Sequence, residues 1–427
     1  MRKYSANRNN GKHRTYVSWL VKEEMMLTQW KTDGISSLWP EINGEFLALR
    51  GIPNDHLPAS EAQALYKKIL VGFDAITSCE MKELYKFKLF LQQTPVHFSS
   101  LPEVKFIHKA FIAWVNFEYE MARALFAKHM STYPTDVIAL FFLHMLDFCT
   151  GKTVRLKPDF VTYDPHMSDE TELYGYYLSM KAFVLCESKC FDEALAVGLR
   201  SVALIPDNIY GIHAVAHALH ELGEWQELTT FLENSKVHWI ENPGMRMHVY
   251  WHLAIAYERC DNLEQALFAF DSLYALKDSP FAKQDLDAVG FLWRLRLKSS
   301  DGTYRVMWKR LAMLWTGSIY ASTSYFHKIH AAFAFSATNQ TILIEKQIVD
   351  SDGFGVETEA HHAGMNVLKA IHLFTLQRYS ESHDLLSASR EHWHLLGGSR
   401  AQREILELTM AYAVQQIPST QPEKLSA

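Results

Sequence analysis

Apolar residues recur at three- to four-residue intervals through most of the chain, in runs broken by short polar turns, and this period predicts helices rather than strands. The clearest run is Leu173 to Pro206, LYGYYLSMKAFVLCESKCFDEALAVGLRSVALIP. It reads as an apolar helix, a polar turn and a second helix opening at Phe191-Asp192-Glu193-Ala194. Small Ala182 and Ala194 fall where the two helices of a hairpin approach closely. Pro206 stops the second helix, because proline lacks an amide donor and clashes with the preceding turn.

The frame repeats. Ala110, Tyr119, Ala122, Phe126 and Pro134 match it in one stretch, and Ala254, Tyr257, Leu263, Ala266 and Phe270 in another. Ala122, Ala194 and Ala266 are 72 residues apart, close to two units of the roughly 34-residue tetratricopeptide pattern. Degenerate copies keep Ala216, Leu219 and Trp225, and near the C-terminus Ala370, Leu373 and Tyr379. The expected fold is all-α, a right-handed superhelical solenoid of tetratricopeptide-like helical hairpins, with about nine to twelve hairpins. Pro53 to Pro58 reads as a loop before a helix at Glu61, Lys152 to Asp169 as an insertion between repeats, and Asp350 to Gly355 as an exposed turn. None is long enough to separate domains. We expect a basic N-terminal arm over 1–20, one solenoid domain over 21–415 and a polar tail over 416–427.

Composition agrees. With 19 Gly and 13 Pro in 427 residues, turn-makers are too scarce for many short strands with tight turns. The 48% hydrophobic content supplies a large core, and a net charge of −6 lacks the basic signature of nucleic-acid binding. No apolar run reaches bilayer-spanning length, so no membrane association is expected. Five cysteines, odd in number and sparse, suit a reducing cytoplasm, and Cys186 and Cys190 read as small core residues rather than metal ligands.

Histidine is the unusual residue: 21 in all, six of them between His213 and His252. With Pro206 ending one repeat, Ile209 opens the next. The positions that line the concave groove of such arrays are then Tyr210, His213, His217, His220 and Glu221. In the following hairpin His248 and Trp251 take groove positions, with His252 beside them and Glu258 further along. Residues three and four apart share a helix face, so five histidines, two aromatics and two acids are expected to converge.

Three chemistries fit. Two His-x-x-x-His pairs on adjacent helices can supply four ligands to a divalent metal, although no His-Glu-x-x-His signature is present. The imidazoles can also serve as acid and base or bind a ligand near neutral pH. Lastly, they can form a hydrogen-bonded polar core.

The stretches HAVAHALHELG (His213 to Gly223), HVYWHLA (His248 to Ala254), LWRL (Leu292 to Leu295) and LGGSRAQRE (Leu396 to Glu404) resemble the tetratricopeptide repeat protein 38 family. With AFIAWVNFEYEMARALF as its early repeat, the resemblance spans roughly 300 residues. It implies an α-solenoid and a cytoplasmic protein and brings no established activity. Carried over by position, the family's polar motif residues are His213, His217, His248, His252, Asp271, Asp287, Arg294, His330, Gln402 and Arg403. The chain departs at His220, where the family usually has an acid, and at Glu221, where an apolar residue is usual.

Gly397-Gly398-Ser399 has no preceding strand and no following Lys-Ser/Thr, so it reads as a helix–helix corner with Ser399 capping the helix at Arg400. Arg403 and Gln402 then point inward, to cap carbonyls or meet an anion. His330 reaches the groove only if the solenoid curls tightly. The leading expectation is a groove that binds a small molecule, cofactor or peptide through Tyr210, His220, Glu221, Trp251, Glu258, Asp287, Arg294, His330 and Arg403 around the histidines. The alternative is an enzyme in which His213, His217, His248 and His252 hold a metal or act as acid and base on a small-molecule substrate.

Overall fold

The computed structural model describes residues 34–417, apart from 53, 170, 172, 278–283, 299–303, 319–322 and 353–357. The expected arm over 1–20 and the tail from 418 onward lie outside the described residues. Among those described, 22 α-helices form and no strand.

Nine hairpins follow one another. They pair α2 (Glu61–Thr77) with α3 (Met81–Gln93), α5 (Lys105–Val115) with α6 (Tyr119–Met130), and α7 (Val137–Cys149) with α8 (Leu156–Tyr163). Next come α9 (Tyr174–Glu187) with α10 (Phe191–Leu204), α11 (Ile209–Leu222) with α12 (Trp225–Asn234), and α14 (Arg246–Arg259) with α15 (Leu263–Ala275). The last three are α16 (Leu286–Lys298) with α17 (Arg305–Ser318), α18 (Tyr325–Ala337) with α19 (Thr341–Asp352), and α20 (Glu359–Thr375) with α21 (Tyr379–Ser389). Helix α1 (Pro40–Leu47) precedes the array, α4 (Val96–Ser99) and α13 (Lys236–Trp239) are single-turn connectors, and α22 (Arg400–Gln416) follows it. The fold is an all-α solenoid of tetratricopeptide-like hairpins. The segment expected as an insertion contains α8, a short helix that completes its hairpin. Helix α19 runs into the expected turn as far as Asp352.

The repeat is visible in its small residues and its turns. Ala122, Ala194 and Ala266 are fully buried at the fourth position of α6, α10 and α15. Two residues before each of seven second helices, the backbone enters the left-handed region: Cys79, Phe117, Lys189, Gly223, Asp261, Asn339 and Gln377, with φ between 56° and 78°. Only one of the seven is glycine, which is how a solenoid this long manages with so few.

Outer and inner helices differ in burial. Outer helices such as α10 and α12 bury one narrow face, Ala194, Gly198 and Ser201 in the first and Leu228, Thr229 and Leu232 in the second. Inner helices are buried nearly all round: Ile209 through His220 in α11, Leu286 through Arg294 in α16. A helix apolar on one stripe needs only one neighbour, whereas one buried on every side has its groove face covered too. The cover is two segments of the described chain, residues 34–49 before the array and α22 after it.

At the N-terminal side, Phe46 of α1 sits among Phe73, Phe141 and Phe142. Asp136, which caps α7, also accepts from the Ile35 amide and pairs with buried His129. Asn242 donates to the Ala48 carbonyl at 2.8 Å, tying this segment to the array's middle. From the other end, Trp293 of α16 donates to Thr409 of α22. The array also meets itself: the Thr323 amide donates to the Cys79 carbonyl at 3.0 Å, and Gly151 lies against the backbone of His394 and Leu395.

Two substitutions test this geometry. Gly151 has φ of 71° and an added Cβ meets the His394 carbonyl at 2.6 Å, so Gly151→Ala is expected to destabilise by about 2 kcal/mol or more in denaturant unfolding. Lys189→Gly, at an exposed left-handed turn position with no such contact, is expected to be neutral or to stabilise by up to about 1 kcal/mol.

Candidate metal centre

Helix α11 starts under a good cap, the Asn208 side chain accepting from the Gly211 amide, and ends at Gly223 in the left-handed conformation. Between those ends His213 and His217 stand one turn apart. Helix α14 packs beside it and brings His248 and His252 to the same level. One ring nitrogen from each of the four lies within 4.8 Å of the others.

Ring centroids are 4.4 Å apart for His213–His217, 4.6 Å for His217–His252 and 4.8 Å for both His213–His248 and His248–His252. The diagonals are 5.5 Å for His213–His252 and 6.2 Å for His217–His248. Imidazoles bound tetrahedrally with metal–nitrogen bonds of about 2.1 Å have centroids about 5 Å apart, so the spacing fits one ion.

Hydrogen bonding points the same way. Both ring nitrogens of His213, His217 and His252 are buried with no hydrogen-bond partner among the described residues. Each orphaned buried polar group costs about 1–3 kcal/mol, and a metal ion would engage one nitrogen on each ring.

His248 differs: its side chain keeps 16% exposure, and its Nδ1 pairs at 2.9 Å with Asp287 Oδ2 on α16. The other Asp287 oxygen accepts from Gln402 Nε2 at 3.3 Å. With Nδ1 donating to the carboxylate, Nε2 is left as the ligand atom, the arrangement that orients many metal-bound histidines. Trp251 stacks on His248 at 5.1 Å and 14°.

The other expected groove residues take varied places. Tyr210 lies beside His213 and donates to buried His144 Nε2 at 2.5 Å. His220 does not join the four. It packs between Trp225 and Trp251, 5.9 Å from the His252 ring, with Nε2 3.9 Å from Glu404. Glu221 turns to Arg400, and Arg294 lies over Trp251 while donating to the Ala401 carbonyl and to Glu404. Arg403 caps carbonyls, donating to Gly397 and Gly398, and pairs with buried Glu187. His330 is buried, donating Nδ1 to the Phe326 carbonyl, close enough to Asp287 for its charge to be felt. Glu258 points away from the histidines to Lys298. Ser399 caps α22 in a full capping box with Gln402.

Glu187 and Glu404 were missed as members of this surround. Glu404 closes the LGGSRAQRE stretch and follows Arg403 directly, which is the sequence signal that pointed to it.

Burial first, and then the crowding of imidazoles that cannot all be charged together, hold His213, His217 and His252 well below the usual histidine range, with Arg403 adding to it at His217. His220 is lowered by burial to about 4, the nearby Arg294 and Arg259 outweighed in part by Glu404, and His330 likewise to about 4 by burial. His213, His217 and His252 are thus neutral at pH 7, the form that binds metal.

No family model matches the chain. By structure it is similar to a chain in the crystal structure of the APC/C hetero-tetramer Cut9-Hcn1, with TM-score 0.42 and 13% identity over 87% of this chain and 69% of that one. It is also similar to a tetratricopeptide repeat protein from Parabacteroides merdae ATCC 43184, with TM-score 0.34 and 14% identity over 72% of this chain and 98% of that one. At these scores the fold rests on the helices themselves. No helix among the described residues is long and apolar enough to cross a membrane.

The lowered histidines set a pH dependence. Below the unfolded value near 6.5 the unfolded chain takes up protons that the folded chain refuses, so stability is complete above that pH and falls as pH drops toward the folded values. Each such histidine contributes about 1.4 kcal/mol per pH unit within that window. Metal-free protein is expected to lose Tm steadily between pH 7 and pH 5 in thermal melts; a flat profile there contradicts the buried, neutral cluster.

Proposed function

We propose that this protein is a metal-binding solenoid whose centre, His213, His217, His248 and His252, holds one divalent transition metal. The observation that carries this reading is four imidazoles from two neighbouring helices with ligand atoms within 4.8 Å, three of them buried and otherwise unpartnered. Nitrogen donors suit zinc, copper, iron and nickel. Asp287 would fix the His248 tautomer, and Gln402 would hold Asp287. The resemblance to the tetratricopeptide repeat protein 38 family supports the same centre. The positions it singled out gather on or around it, except Asp271, which is exposed on α15.

The ligand class follows from the groove. Helix α22 and the 397–399 corner cross it at the histidines, through Arg400–Glu221, Gln402–Asp287 and Arg403–Glu187. That leaves room for an ion and a small molecule more readily than for a peptide strand. The reducing cytoplasm is the location that the sparse, odd set of five cysteines suits.

A second reading, catalysis at the metal, is favoured by the partial exposure of His248 and of Asp287 behind it. Four imidazoles close a tetrahedral zinc site, yet they leave coordination positions vacant on a five- or six-coordinate ion. There the bound metal would act as a Lewis acid on a small substrate, with Asp287 holding the His248 proton at Nδ1.

Elemental analysis of protein purified without a His tag is expected to find about one ion per chain, and chelation to lower Tm by several degrees. His217→Ala and His252→Ala are expected to abolish stoichiometric metal, whereas Asp287→Asn keeps the stoichiometry and weakens affinity about 10–100-fold. Absence of metal after supplementation with zinc, copper, iron, nickel and cobalt refutes the reading, as does full loading of both alanine variants.

A further inference from the structure

A cavity of about 360 Å³, with none of the four histidines in its lining, lies between the C-terminal ends of α14 and α16 and the later turns of α22. Its polar wall is Glu258, Arg259, Arg294 and Lys298, and its apolar wall includes Leu408 and Tyr412. The charges do not balance. Glu404 accepts from Arg259 Nη2 at 2.5 Å and from Arg294 Nη2 at 3.2 Å, while Glu258 pairs with Lys298. Among the described residues, three cations therefore share two carboxylates.

Among the described residues, the Nε–H groups of Arg259 and Arg294 are left buried without an acceptor. Arg259 Nε stands 4.0 Å from Glu258 Oε2, beyond hydrogen-bond reach. Arg294 is only 3% exposed, and a buried guanidinium donor without a partner is rare in a folded protein. Excess positive charge, spare donors on two forked guanidiniums and an adjoining apolar wall together define what completes the site.

We propose that this cavity binds a small organic oxyanion, a carboxylate or phosphate group carried on a short apolar body. The oxyanion accepts from Arg259 and Arg294 with Lys298 at the rim, and the body lies against Leu408 and Tyr412. Arg294 also stacks over Trp251 at 5.3 Å, and the Trp251 ring is 5.1 Å from His248 and 4.8 Å from His252. Two side chains, Arg294 and Trp251, thus stand between an occupant and His248 and His252, although its binding does not depend on a metal.

The test is calorimetric titration of the full chain with benzoate, phenyl phosphate and inorganic phosphate at fixed ionic strength, with and without zinc. At least one of the two aromatic oxyanions is expected to bind one per chain, in the millimolar range or tighter, in both preparations. Preference for benzoate assigns a carboxylate, and preference for phenyl phosphate a phosphate. Ala411→Trp, at an exposed lining position of α22, fills the cavity, and Lys298→Glu reverses the rim charge. Each is expected to weaken binding about tenfold or more, Ala411→Trp with Tm unchanged and Lys298→Glu with a lowered Tm, because it also parts Glu258 from its cation. The proposal is overturned if neither aromatic oxyanion binds, if both variants bind as tightly as the parent, or if inorganic phosphate alone binds as tightly as phenyl phosphate. Because the zinc-free arm is measured separately, failure here is distinguishable from failure of the metal centre.

Discussion

The arrangement at the centre of this molecule depends on one contact set, the packing of α22 across the inner helices. Its first turns carry Arg400 to Glu221, Gln402 to Asp287, Arg403 to Glu187 and Glu404 to Arg294 and Arg259. Every one of these partners lies on an inner helix, α9, α11, α14 or α16. An open solenoid leaves those faces to solvent or to a ligand. Here the charged first turns of α22 occupy them, and burial of the histidines behind it follows.

Burial changes what a histidine is. On an open groove, His213, His217 and His252 would be solvated and would titrate in the ordinary range. Enclosed, they are neutral, and six of their ring nitrogens lack a partner. A core of this kind is costly unless something completes it, and an ion that uses four nitrogens is the economical completion. The same logic applies on the far side of Trp251, where Arg259 and Arg294 retain unpartnered donors after both available carboxylates have been shared. Both candidate sites are therefore incomplete polar clusters created by the closing of a repeat array on itself.

The hairpin array was legible in the primary structure because each hairpin is a local object. Helical period, small residues at the helix crossings and Pro206 as a stop act within about one repeat, and Ala122, Ala194 and Ala266 are buried as that period requires. The i, i+4 spacing alone places His213 with His217, and His248 with His252, since residues one turn apart must share a face. Adjacency of successive inner helices then brought the two pairs together.

Other features had no local signal. His220 obeys the same spacing, yet it turns to Trp225, Trp251 and Glu404, because α22 supplies a partner from far along the chain. Glu258 occupies an expected groove position and faces Lys298 instead. Asp287 and Gln402 are 115 residues apart, and Arg403 and Glu187 are 216 apart. No periodicity links such positions; superhelical curvature does, and it accumulates from small rotations between hairpins that no single repeat encodes. The sequence by itself determined the helices, their pairing and the two histidine pairs. Only the tertiary structure decided that the array closes, that the segment before it and α22 after it fill the groove, and that neutral histidines and unpaired arginine donors are left at its centre.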